Sequence, residues 1–347
     1  MVAARDVRID NAKGALIVLV VMGHFLLPIA NTWFNTGCLY LIYSFHMPCF
    51  VFLSGYLSKG IYRGKGTYRW DRLGKLVWLY ILFKLAVHVT EGLLEGGIGG
   101  RIDFLHESGA PWYLLALIIW HLFIPVFGSK WGKSHRCLMM AAVLCVSLAG
   151  GYAGKLEDFL AIDRVLAFAP FFFAGYYVPR ESADMLFGGK CRWLRILLGA
   201  VAGLAIFFNA YGYLVPYRHA MYGAMYYRMG EQLAPYGWLF RLAFCVLTSV
   251  LSLGFLALAP ARKVLFLTDM GKRTLTVYVL HRLVRDLCQY FGLYQKMDCE
   301  AVLPVIGLLI GSAALAVLLA SAPVSRAFEW VAELPERVLS RLDMREA

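Results

Sequence analysis

Lys13-Gly14-Ala15-Leu16-Ile17-Val18-Leu19-Val20-Val21-Met22-Gly23-His24-Phe25 is an apolar run with a cation at its start and an imidazole near its end. A second arm, Ser44-Phe45-His46-Met47-Pro48-Cys49-Phe50-Val51-Phe52-Leu53-Ser54-Gly55-Tyr56, places another histidine inside an apolar stretch. With its flanks, each arm is long enough to cross a bilayer as a helix. Ionisable groups at membrane depth are costly, so they face a protein interior or a watery cavity and mark function. Lys13 and His24 are eleven residues apart. That interval is about three helical turns, or roughly 16 Å, and puts both on nearly one face. Pro48 removes a backbone hydrogen bond and predicts a kink beside His46.

The rest of the chain extends this reading. It has 347 residues, is 60% hydrophobic and only 16% charged, and its mean hydropathy is +0.63. Such a composition excludes an ordinary soluble domain, and continuous rather than alternating apolar runs exclude a barrel. The fold class is therefore an all-α integral membrane protein. Ten spans are expected, near 14–29, 37–57, 73–90, 111–127, 138–153, 159–178, 194–215, 238–259, 274–294 and 301–321. With the N-terminus inside, the cytoplasmic segments hold 24 Lys/Arg and the opposite loops five, which puts both termini in the cytoplasm. The same rule explains the net charge of +12 without a nucleic-acid partner. Residues 1–325 read as one membrane domain and 326–347 as a short cytoplasmic tail. The chain after Ser321 is expected to form a short interfacial helix with Phe328, Trp330, Val331, Leu334 and Val338 on its apolar side. The acidic residues Asp6 and Asp10 and the further spans fit a cleaved signal peptide poorly.

Other polar residues interrupt the spans. Lys84 and His88 share a helix face, His121 lies in the fourth span, and Asp163-Arg164 lies near the end of the sixth. The ninth span is the most loaded, with His281, Arg282, Arg285 and Asp286, where Arg282 and Asp286 are spaced for an ion pair. For each of these a paired structural role stands beside a functional one. No H-x-x-x-H, H-E-x-x-H or C-x-x-C pattern occurs, so no metal is expected. After the second arm, Lys59, Arg63, Lys65, Arg69, Arg72 and Lys75 crowd one loop. They serve either as a topology and lipid-headgroup signal or as a phosphate-binding lip, with Arg69 and Arg72 suited to one phosphate group.

Taken together, these patches resemble the membrane-bound acyltransferase type 3 family. The likeness is to its fucose 4-O-acetylase-like, cell-surface polysaccharide O-acyltransferase part. Lys13 and His24 match the family's cation, ten residues, histidine pattern. Phe45-His46-Met47-Pro48 with Leu53-Ser54-Gly55-Tyr56-Leu57 resembles its second-span signature, and Arg69 and Arg72 its arginines after that span. Pro111-Trp112-Tyr113-Leu114, the run 170–176 and the run 271–281 resemble later landmarks.

The resemblance implies transfer of an acyl group, usually acetyl, from cytoplasmic acyl-CoA to a hydroxyl of an envelope glycan or a lipid-linked precursor. It implies a multi-pass protein of the bacterial plasma membrane with no permanently bound cofactor. It also leaves room for a separate extracytoplasmic partner, because the fused hydrolase-like domain of larger relatives does not fit in this chain. Under this reading His24 is the catalytic base, and His46 orients the acyl group or stabilises the oxyanion. Lys13, Arg69 and Arg72 bind the donor, and Ser54, Trp112, Tyr278, His281 and Arg285 support the site. The competing class is a proton-coupled secondary transporter, which would also use histidines at the midplane.

Overall fold

The computed structural model describes residues 6–62, 68–97, 101–107, 109–127, 133–153, 158–215 and 233–337. No strand occurs among them. The main helices are α1 (Val7–Leu26), α2 (Trp33–Tyr43), α3 (His46–Leu57), α4 (Trp70–Leu94), α5 (Trp112–Phe127), α6 (Lys133–Gly150) and α7 (Ile162–Tyr177). They continue as α8 (Arg192–Asn209), α9 (Gly237–Leu258), α10 (Leu267–Lys272), α11 (Thr274–Tyr290), α12 (Val302–Leu319) and α13 (Ala322–Ala332).

Helix α1 is the central post. Asp6 caps it by accepting from the Arg8 amide at 2.9 Å. Leu16, Ile17, Val20 and Val21 are all at most 3% exposed, and α3, α10, α11 and α12 pack around the helix. Near its start the buried Asn11 donates to the carbonyls of Pro260 and Arg262 at 2.8 and 2.9 Å and accepts from Thr268. One side chain thus ties the turn before α10 to the post. At the opposite end the Tyr294 hydroxyl donates to the Phe25 carbonyl.

The second span is two helices rather than one, and the break precedes Pro48. It falls at Ser44-Phe45, where the Ser44 carbonyl accepts from Thr248 of α9 at 2.6 Å. Pro48 lies in the first turn of α3, where the backbone N–H groups have no intrahelical acceptor, so its missing N–H costs nothing there. The Ile42 carbonyl, at the end of α2, accepts from the Phe45 amide at 3.3 Å and from the His46 ring at 2.7 Å.

Among the described residues six helical stretches are long and apolar enough to cross a membrane: Val7–Ile29, Trp33–Gly60, Trp70–Leu94, Arg180–Leu214, Ala234–Leu258 and Val302–Leu319. Helices α5 and α7 have 16 residues and α11 has 17. At 1.5 Å per residue these cover about 24–26 Å, less than a hydrocarbon core of roughly 30 Å. Helix α11 is also interrupted by its charged residues. The tail helix α13 docks on α4 through Trp78 to the Val331 carbonyl and Lys75 to Glu333 and Glu336. It buries Phe328 but leaves Trp330 62% exposed, so the two do not share an apolar side. Val338 lies outside the described residues.

Helices α3 and α7 cross on small residues, as membrane helices must to bring backbones together. A Cβ at Gly55 would meet the Phe172 carbonyl, and one at Gly175 would meet the Phe52 carbonyl. Neither neighbour is a side chain that can turn away. Gly55→Val and Gly175→Val are each expected to cost about 2 kcal/mol or more, seen as lost monodisperse protein in mild detergent. Gly307→Val, where an added Cβ meets nothing within 4 Å, is expected to behave like wild type.

Candidate active site

Two cavities lie along α1. The first, of about 210 Å³, is bordered by His24, His46, Tyr43, Trp112, Arg164 and Arg285, among others. The second, of about 230 Å³, is bordered by Lys13, Ile17, Ser54, Leu76, Tyr113 and Thr274 and is almost wholly apolar. Val20, Met47 and Tyr278 border both, so the cavities meet at these three side chains. Lys13 and His24 therefore mark the two ends of one continuous face of α1, as their spacing predicts.

Both histidines of the hairpin reach the first cavity. His46 is 2% exposed, and its Nδ1 lies 2.7 Å from the Ile42 carbonyl oxygen. A carbonyl only accepts, so Nδ1 carries the proton and a neutral His46 offers a lone pair at Nε2. His24 stands beside His281 with ring centroids 5.0 Å apart and planes at 77°. The Nδ1 of His24 is buried without a hydrogen-bond partner, so Nε2 is the nitrogen on the cavity side.

The arginines of the cavity wall are matched by acids. Asp286 accepts from Arg282 at 2.7 Å and from Arg285 at 2.6 Å, and Arg282 also reaches Glu91. Arg164 pairs with Asp158 at 2.9 Å and Asp163 at 3.2 Å. These pairs hold the guanidinium groups at the wall, where each is an obligatory donor.

The segment just before α5 reaches this cavity at Gly109 and Ala110. Asp103 accepts from the Leu105 and His106 amides and the His106 ring, which hold its carboxyl down at about 2. Glu107 is 3% exposed, faces Lys84 at 2.9 Å and accepts from the Gly109 amide. Burial pushes its carboxyl above the usual range, against the pull of Lys84. The Arg164 guanidinium donates to the Glu107 carbonyl and the Tyr278 hydroxyl to the Ala110 carbonyl. Gly109 and Ala110 thereby become cavity wall. Trp112 follows, stacked on Phe168 at 5.3 Å.

Ser54 and Tyr113 share a 2.5 Å hydrogen bond at the second cavity. Neither Arg69 nor Arg72 borders either cavity. Arg69 is held by Asp71 at 2.5 Å, and the Arg72 guanidinium lies beside Gly60. Arg63 and Lys65 lie outside the described residues. His121 borders neither cavity; its Nε2 donates to Ser58, whose hydroxyl passes on to the Ser54 carbonyl. It is a core histidine pinning α5 to α3. Among the described residues no three His, Cys, Asp or Glu side chains converge on a metal position.

The acyltransferase domain family matches residues 6–321. The chain belongs to that family. A nodulation protein NolL of Sinorhizobium fredii is 33% identical over 156 residues, covering 40% of this chain and 42% of the relative. NolL of Mesorhizobium japonicum is 45% identical over 60 residues, 16% of each chain. These matches thus span less than half the length of the curated relatives. No solved structure matches. The family match includes both cavities and every described residue that borders them.

Cysteines at 24 and 46, in a background lacking the native cysteines, are expected to be joined by a short bifunctional thiol reagent. A 24/121 pair is expected to remain unjoined, as read by mass spectrometry of the digest.

Proposed function

We propose that this protein is a multi-pass O-acyltransferase of the bacterial plasma membrane, moving an acyl group from cytoplasmic acyl-CoA to a hydroxyl of an envelope glycan or its lipid-linked precursor. The observation that carries the reading is that His24 and His46 border one cavity, which meets an apolar cavity reaching Lys13. The family supplies the reaction class. The ten-crossing topology with both termini inside rests on the Lys/Arg bias of the loops and puts the Lys13 end in the cytoplasm.

In this arrangement the phosphates of acyl-CoA sit at the basic end, within reach of Lys13, Arg69 and Arg72, and the pantetheine arm enters the apolar cavity. The thioester arrives where Val20, Met47 and Tyr278 divide the two cavities. The acceptor hydroxyl enters from the opposite side, past Trp112 and the segment before α5. His24 Nε2 takes the hydroxyl proton as the oxygen bonds to the acyl carbon, and then returns it to the departing CoA sulfur. His46, with its lone pair toward the cavity, accepts a hydrogen bond and aims the hydroxyl. The oxyanion donor falls to an arginine of the wall, with Arg285 placed for it, because a neutral His46 has no donor left there.

Membrane vesicles given labelled acetyl-CoA test this reading. Wild type is expected to label glycan. His24→Ala at equal abundance is expected to lose about 100-fold, and the His24→Ala/His46→Ala pair to be no worse, since groups acting as a unit are not additive. Arg72→Gln is expected to raise the KM for acetyl-CoA about tenfold through a lost charge-assisted contact, with little change in use of the acceptor. Substrate flux independent of label transfer would instead indicate a transporter.

A further inference from the structure

His281 stands beside His24, borders neither cavity and is 0% exposed. Its Nδ1 is 2.9 Å from the Val277 carbonyl oxygen one turn earlier on α11. Because that oxygen can only accept, Nδ1 holds the proton, and the neutral ring is left with a lone pair at Nε2. This Nε2 is buried and has no partner. Buried acceptors are almost always matched, and one left bare calls for an explanation. The neighbouring ring is His24, edge-on at 5.0 Å, with its own Nδ1 buried and equally without a partner.

Two bare ring nitrogens on adjacent imidazoles, one an acceptor by its tautomer, are complementary, and in this structure they stand side by side without bonding to each other. We infer that His281 is the positioning residue of the reaction, accepting the Nδ1 proton of His24 so that the lone pair of His24 is held at Nε2, facing the first cavity. This rests on His24 being the base. A neutral imidazole has two tautomers, and only the one with hydrogen on Nδ1 can take a proton at the cavity. His281 selects that tautomer through its tether to Val277. When the acceptor hydroxyl gives its proton to His24 Nε2, the imidazolium carries a proton on each nitrogen. His281 Nε2 then faces the positive Nδ1–H until Nε2 hands its proton to the CoA sulfur. His281 neither gains nor loses a proton, and the exchange of hydroxyl proton for thiol proton balances through His24 alone.

Nothing in this role requires His281 to touch donor or acceptor. Its loss should therefore appear in turnover and not in donor binding. His281→Phe keeps a ring of similar size without nitrogen, His281→Leu is a second apolar variant, and His281→Gln restores an acceptor oxygen near the Nε2 position. Steady-state transfer from labelled acetyl-CoA is measured for each in membrane vesicles, with protein abundance as a control. The Phe and Leu variants are expected to lose at least tenfold in kcat, with KM for acetyl-CoA within threefold of wild type. Gln is expected to keep at least a third of wild-type kcat. In a His24→Ala background, His281→Phe is expected to have no further effect. An apolar variant with wild-type kcat, a Gln variant as slow as Phe, or a multiplying loss in the His24→Ala background overturns the inference. Those outcomes leave His24 as base untouched, whereas wild-type activity in His24→Ala alone overturns the base and this inference with it.

Discussion

Polar groups inside this bundle must find their partners in the protein, because the hydrocarbon around it offers none. The charges around the first cavity are accordingly placed with their matches. Asp286 serves two arginines on its own helix, Glu107 is carried inward to meet Lys84, and Arg164 stands between Asp158 and Asp163. His46 uses the carbonyl exposed by the break before its own helix, and His121 uses Ser58. Some buried polar atoms stay bare, Nδ1 of His121 among them; the bare nitrogens of His24 and His281 lie beside each other at the cavity where the two arms of the hairpin meet.

The same constraint shapes the fold. Breaking the second span at Ser44-Phe45 leaves two carbonyls to be met, and the chain meets that of Ile42 with an imidazole and that of Ser44 with a threonine hydroxyl. Close backbone contact at Gly55 and Gly175 brings α3 against α7, which carries Arg164 and Phe168 to the wall facing His46. Gly109 and Ala110, just before α5, border the far side of the cavity. A cavity that small, with donors fixed by ion pairs, suits chemistry in which water would compete with the acceptor hydroxyl.

What the sequence made legible was what helical spacing controls. The Lys13–His24 interval, the histidine in each arm, and the Arg282–Asp286 pair are local, and each is found as the spacing implies. The contacts that assemble the site are not local. His24 meets His281 and Lys84 meets Glu107 across intervals that no periodicity reports. Pro48 predicts a break beside His46, and the break lies at Ser44-Phe45 directly before it; what the sequence did not report is that a new helix starts there, with Pro48 in its first turn. Arg69 also pairs with Asp71, two residues on, a contact the reading of the basic loop did not include.

The central claim is that the donor thioester reaches His24 through the apolar cavity that begins at Lys13. The most direct measurement is a cryo-EM map of the protein with a non-hydrolysable acetyl-CoA thioether. The account predicts density for the arm between Lys13 and Tyr278, with the acyl end at His24 and the nucleotide at the basic surface near Arg72. An analogue lying entirely at the surface, or entering past Trp112 from the other side, would contradict it.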